Sequence, residues 1–174
     1  MDIIKRALFW RRGVPRHHEV VRPVMRKAAS AVLHPDASIN NLSGQPDRIS
    51  VGEASHLRGM LLVHRHGGSI SLDQHCFLGP QSIISSMHEI RIGSRVLISH
   101  SVQLSDHTSH SLDPVERHRH FLQIISDQQP QSWDELPGVR SAPIVIEDDV
   151  WIGFGCTIMK GVGIGRGKIG RAHV

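Results

Sequence analysis

A chain of 174 residues is long enough for one domain with a sizeable core, and too short for two of ordinary size. Aromatic residues make up 4% and tyrosine is absent, so the core must be built from aliphatic and small side chains. Eight of the 20 Lys/Arg lie in residues 1–30 beside only Asp2 and Glu19, leaving 12 basic against 14 acidic residues, which excludes a nucleic-acid surface spread over the domain. That first segment reads as one or two short basic helices, broken at Gly13-Val14-Pro15 and at Pro23. It is expected to cap the domain that begins near residue 31. Weak peripheral contact with an anionic membrane is the alternative. The apolar run Ala7 to Trp10 is too short for a signal-peptide core, and no run approaches a membrane span. Cys76 and Cys156 form no CxxC, so neither a disulfide framework nor a zinc ribbon is expected, and a reducing cytoplasm is.

From residue 31 an aliphatic residue recurs every six positions. Leu33 and Ile39 open the series; Val51, Leu57 and Val63 continue it. Leu72, Leu78, Ile84 and Ile90 come next, then Ile92, Ile98 and Leu104, then Ile146, Ile152, Ile158 and Ile164. Glycine often stands one place later (Gly52, Gly79, Gly93, Gly153, Gly165). A small or β-branched residue stands four after the aliphatic (Ser55, Cys76, Ser82, Val96, Val102, Val150, Cys156, Val162). The pattern predicts a coil of three short flat faces, with one aliphatic and one small residue per face pointing inward and glycine easing the corners. Both cysteines fall in the small column and are expected to be structural.

The regularity breaks at SDHTSHSLDPVERHRH, Ser105 to His120, which holds four histidines in sixteen residues. The break is expected to be a loop excursion over 105–141. Its apolar set Phe121, Leu122, Ile124, Ile125, Trp133 and Leu136 is expected to pack on a neighbouring subunit.

The hexads resemble those of the hexapeptide-repeat acyltransferases, and the likeness covers roughly residues 31–167. It tightens at APIVIEDDVWIGFGCTIMKGVGIG, residues 142–165, and at DHTSHSLDPVER, residues 106–117. The second stretch is similar to D-x-D-x-H-P-x-D-P-x-x-R in the O-acetyltransferase branch that includes the maltose, galactoside and colanic acid enzymes. The resemblance implies an all-β fold, a left-handed parallel β-helix. It also implies a homotrimer with sites between subunits, acetyl-CoA as acyl donor, no metal, and a sugar or surface-polysaccharide hydroxyl as acceptor. By the same match His110 takes the place of the catalytic base. Asp106 and Asp113 take the acidic positions, and Arg117 the arginine. Thr108 and Ser111 depart from the pattern, and Thr108 removes one candidate orienting acid. Gly79 and Gln81 stand where the sugar enzymes have N-x-N, so the same sugar does not follow. His118 and His120 match nothing and read as solvated loop residues.

The chemistry suits these residues. Acyl transfer to a hydroxyl needs a base that is neutral near pH 7, and imidazole is one. His110 is the first choice and His107 the second, with Asp106 or Asp113 either orienting the ring or capping a turn. Arg117 either holds the loop down or meets a coenzyme phosphate. Trp151 stands in the family's V-W-I-G position, where it resembles residues lining the pantetheine channel; Gly153, Phe154 and Lys160 would extend that coenzyme surface. The β-helix is expected over 31–168, and 169–174 reads as a non-native end that leaves part of the coenzyme site absent. Two rivals remain: a γ-class carbonic anhydrase-like zinc enzyme drawing on His64, His66, His75, His88 and His100, and a β-helix scaffold without catalysis.

Overall fold

The computed structural model describes residues 25–126, 130 and 135–170. It is built almost wholly of short parallel strands, three to a coil. The first coil holds β1 (Arg26–Lys27), β2 (Val32–Leu33) and β3 (Ser38–Asn41). The second holds β4 (Ile49–Val51), β5 (His56–Leu57) and β6 (Met60–Val63). The third holds β7 (Ile70–Leu72), β8 (Phe77–Leu78) and β9 (Ile83–Ser86), and the fourth β10 (Ile90–Ile92), β11 (Leu97–Ile98) and β12 (Gln103–Ser105). After an excursion carrying helix α1 (Pro114–Ile125), the fifth holds β13 (Ile144–Ile146), β14 (Trp151–Ile152) and β15 (Thr157–Met159). β16 (Gly163–Ile164) and β17 (Ile169–Gly170) begin the sixth.

Every strand pairs with the one three places along the chain, so the coil has three parallel faces. The first sheet runs β1-β4-β7-β10-β13-β16, the second β2-β5-β8-β11-β14-β17, and the third β3-β6-β9-β12-β15. A two-residue strand could not stand alone; each is fixed by backbone bonds to the coils above and below it.

The hexad aliphatics stack in register. Leu33, Leu57, Leu78, Ile98 and Ile152 form one column of the second sheet. From Leu57 to Ile152 this column is buried. Each such side chain contributes about 1.5–3 kcal/mol by leaving water. The small column faces inward too, and its polar members tie coil to coil. Ser55 Oγ donates to Asp73 O (2.8 Å) and accepts from Cys76 N–H (3.0 Å). Ser82 Oγ donates to Ser99 O (2.7 Å) and accepts from Val102 N–H (3.0 Å). The Cys76 thiol, buried and facing Gly93 O, is pushed above its usual pKa by burial, which suits a structural thiol rather than a reactive one.

Three expectations need correction. The glycine column does not supply corner freedom: a Cβ at Gly52 would lie 2.6 Å from Asp73 C, and one at Gly79 2.6 Å from Ser99 C. These glycines are there because the next coil's backbone passes too close for a side chain. The positive-φ corners are filled instead by Ala54, His75, Arg95 and Asp149. The hexad phase also slips in the second coil, where Leu61, not Val63, pairs with Ile84 and so joins the column of Leu104. Finally, β1 pairs with β4, so the coil starts at Arg26–Lys27 inside the segment expected to be helical. Residues 1–24 of that segment, and 171–174 of the expected non-native end, lie outside the described residues. Ile169 and Gly170 continue the second sheet beside Trp151 and Ile152.

Candidate active site

Three chain segments leave the third sheet at the same corner, stacked one above another. Val63 pairs with Ser86, and Ser85 with Ser105. The register therefore puts His64, Met87 and His107 in one column just past the strand ends. At the fourth coil the chain departs. The root of the excursion is closed by Thr108 N–H to Arg140 O and by Ala142 N–H to Asp106 O, each 2.9 Å, flanking an antiparallel bridge between His107 and Ser141.

Asp106 anchors this root. It is fully buried. Its Oδ2 accepts from Ser86 Oγ (2.6 Å) and His88 N–H (2.9 Å), and its Oδ1 accepts from Met87 N–H (2.7 Å). Asp113 is the N-cap of α1, where its side chain accepts from Val115 N–H (2.9 Å) and Glu116 N–H (3.0 Å). Arg117 Nη1 donates to Ser111 O and Leu112 O at 3.2 Å, holding the loop in front of the helix. Among the described residues neither carboxylate is hydrogen-bonded to His110; both support backbone.

The excursion folds back over the column and closes a cleft of about 310 Å³. Five histidines line it: His64, His66, His107, His110 and His120. Met87, Ile124, Pro130 and Leu136 add apolar wall. The buried Leu136 faces this cleft, and Ile124 lines it while remaining exposed. Phe121, Leu122 and Ile125 are exposed, and Trp133 lies outside the described residues.

Four of the five histidines fall into two sets. The inner set is a chain of hydrogen bonds: His107 Nε2, Ser85 Oγ and His64 Nε2, with both links 3.0 Å. His107 Nδ1 accepts from Ser109 N–H (3.0 Å), so the neutral ring carries its proton on Nε2 and donates to Ser85. Burial, the leading cause, holds His107 below the usual imidazole pKa; Asp106 pulls the other way and His110 adds to the lowering. Burial, with His107 and His66 beside it, takes His64 to about 4 against the pull of Asp106. Both rings are neutral near pH 7.

The outer set is His110 and His120. Their Nδ1 atoms are 3.0 Å apart. The sequence placed His120 in a solvated loop; it lies on α1, is half-buried and lines the cleft. His118, also on α1, is exposed and stacks with Phe121. Burial, then His110 and His66, hold His120 below its usual pKa. His110 is exposed at the cleft mouth, and its Nε2 has no hydrogen-bond partner among the described residues. His66 Nε2 donates to Pro130 O (2.8 Å).

The expected coenzyme residues lie apart from the cleft. Trp151 projects outward from the second sheet, with Nε1 donating to Ser99 Oγ (3.2 Å). Phe154 stacks on His100 with ring centroids 5.3 Å apart. Gly153 lies between them, and Lys160 is half-buried just after β15. None of these lines the histidine cleft. Among the described residues no three His, Cys, Asp or Glu side chains converge as a metal-binding group, and no helix is long and apolar enough to cross a membrane.

The chain is similar to a probable acetyltransferase. That protein, Rv3034c of Mycobacterium tuberculosis (strain ATCC 25618 / H37Rv), is 25% identical over 126 residues, which cover 72% of this chain and 37% of the relative. The chain therefore spans little more than a third of the length of the curated relative it matches. Among solved structures it is similar to the hexapeptide-repeat acetyltransferase VCA0836 of Vibrio cholerae O1 biovar eltor, determined in complex with acetyl coenzyme A. There the TM-score is 0.44 and the identity 24%, over 84% of this chain and 56% of that one. No family model matches the sequence.

Proposed function

We propose that this protein is an acetyl-CoA-dependent O-acetyltransferase acting on a hydroxyl of a sugar or surface-polysaccharide precursor, with His110 as general base. The observation that carries the reading is the state of His110. It sits at the mouth of an apolar-walled cleft, its Nδ1 is tied to His120, and its Nε2 is open. His107 is the weaker candidate because both its ring nitrogens are engaged inside the fold. The hexads, the DHTSHSLDPVER loop and the similarity to a probable acetyltransferase support the same reading.

In this reaction His110 Nε2 takes the proton of the acceptor hydroxyl as its oxygen attacks the thioester carbonyl carbon. The C–O bond forms, the C–S bond breaks, and the proton passes from His110 to the departing thiolate. The tetrahedral oxyanion needs donors such as backbone N–H groups. Trp151, Gly153, Phe154 and Lys160 would hold the coenzyme, the aromatic rings against pantetheine and the ammonium against phosphate. The coil is read as left-handed and the assembly as a cytoplasmic homotrimer in which a second subunit completes the site. The exposed Phe121, Leu122 and Ile125 fit such a contact.

The test is release of coenzyme A thiol from acetyl-CoA against a panel of sugars and oligosaccharides, with acetylated product identified by mass. Thiol release that requires one acceptor supports the reading. No release with any acceptor, from protein that keeps its fold, contradicts it.

A further inference from the structure

We propose that His120 is the positioning residue of this site, a neutral imidazole doing what a carboxylate does in a carboxylate–histidine pair: it fixes the tautomer of His110. The inference rests on the reading of His110 as base. The contact is an Nδ1-to-Nδ1 approach of 3.0 Å, with ring centroids 4.9 Å apart and planes inclined by 57°. Two neutral imidazoles that meet in this way must divide the roles, one donating and the other accepting. Only one division leaves a base. If His120 donates, His110 carries its proton on Nε2 and has no lone pair for substrate. If His110 donates, its Nε2 lone pair faces the cleft mouth. The same hydrogen bond then survives proton uptake, because imidazolium still donates from Nδ1.

Among the described residues no acid is hydrogen-bonded to either ring of the pair. Asp106 is committed to Ser86, Met87 and His88, Asp113 to the first turn of α1, and Thr108 stands where a further acid would. Helix α1 delivers His120 instead. Asp113 caps the helix and Arg117 ties it to the preceding loop, so the ring arrives on a rigid element. The titratable groups facing the pair are His66 for His120 and His107 for His110, with His64 behind them; Glu116, Arg117 and Arg119 share the helix. Burial keeps His120 neutral, and so an acceptor, to lower pH than an exposed histidine.

The experiment combines a structural and a kinetic readout. Histidine labelled with 15N reports each ring's tautomer through multiple-bond 15N–1H correlations, without any substrate. Wild type should show His110 protonated on Nδ1. His120→Ala should move it to the Nε2-protonated form that free imidazole side chains prefer in water. His120→Asn, whose side-chain oxygen can stand where Nδ1 stood, should retain the Nδ1-protonated form. With acetyl-CoA and the acceptor found by the panel, kcat should fall on the order of ten- to a hundredfold in His120→Ala. KM should stay within about twofold, and His120→Asn should recover most of the loss. A His110 ring protonated on Nε2 in wild type, or unmoved by His120→Ala, would overturn the proposal. Tautomer control without any effect of His110→Ala on turnover would instead overturn the base reading, and the positioning role with it.

Discussion

The corner after the first sheet and the corner after the third are built on opposite plans. After the first sheet every coil from the second onward turns by the same device. A positive-φ residue (Ala54, His75, Arg95, Asp149, then Gly167) stands over its counterpart, and backbone bonds such as His75 N–H to Glu53 O tie one turn to the next. Arg95 reaches across to Asp149 and Arg166 to Asp148. After the third sheet the turns differ: one coil passes through a 3-10 turn at Pro46–Arg48, one through Gly67-Gly68, and one leaves for the whole excursion. The repeat makes the rod, and the histidines gather where the repeat lapses.

The largest break in that contrast should come from Asp106→Ala. It removes three hydrogen bonds to a charged acceptor, worth about 1.5–3 kcal/mol each, and leaves the buried Met87 N–H without a partner, while Ser86 Oγ keeps Ser69 O; urea unfolding should show at least about 3 kcal/mol lost. A loss below about 1 kcal/mol would mean the excursion's root is held some other way. His110→Ala should cost roughly a hundredfold in acyl transfer while leaving the unfolding midpoint in place, since the ring is exposed. A smaller contrast separates two glycines. At Gly79 an added methyl meets backbone, so Gly79→Ala should destabilise by about 1–3 kcal/mol. At Gly155, φ +65° with open space around it, the cost should be only about 1 kcal/mol.

The cleft should also respond to acid. His64 is depressed to about 4 from an ordinary 6.5. Between those values the unfolded chain binds a proton that the folded one does not. Stability should therefore fall as pH drops from about 6.5 to about 4, by at most about 1.4 kcal/mol per unit. Denaturant midpoints of His64→Gln should show a shallower fall; an unchanged slope would place the effect elsewhere. The smallest effect should be Arg95→Ala, the loss of an exposed ion pair, which should leave the thermal midpoint almost unchanged.

The rod was legible because each hexad repeats one physical demand, an aliphatic over an aliphatic. The site was legible only in part. His110 and His107 stood out in a loop that broke the period. His64 did not, because the phase was carried through Val63. With Leu61 as the inward residue, His64, Met87 and His107 each lie three past a stacked aliphatic (Leu61, Ile84, Leu104), and the column shows. His120 was hidden for another reason. Its role depends on α1 folding back over the corner, a tertiary event without a period. The Asp113-Pro114 start of that helix, an N-cap followed by proline at its first position, was the signal that could have revealed it.

If an open histidine at this irregular corner drives acyl transfer, the rate of acetyl-CoA thiol release must depend on it. Wild type and His110→Ala should be compared directly, each with a competent sugar acceptor. Release should require the acceptor and should fall about a hundredfold or more in the variant. Release at an equal rate in both proteins would contradict the role given to His110.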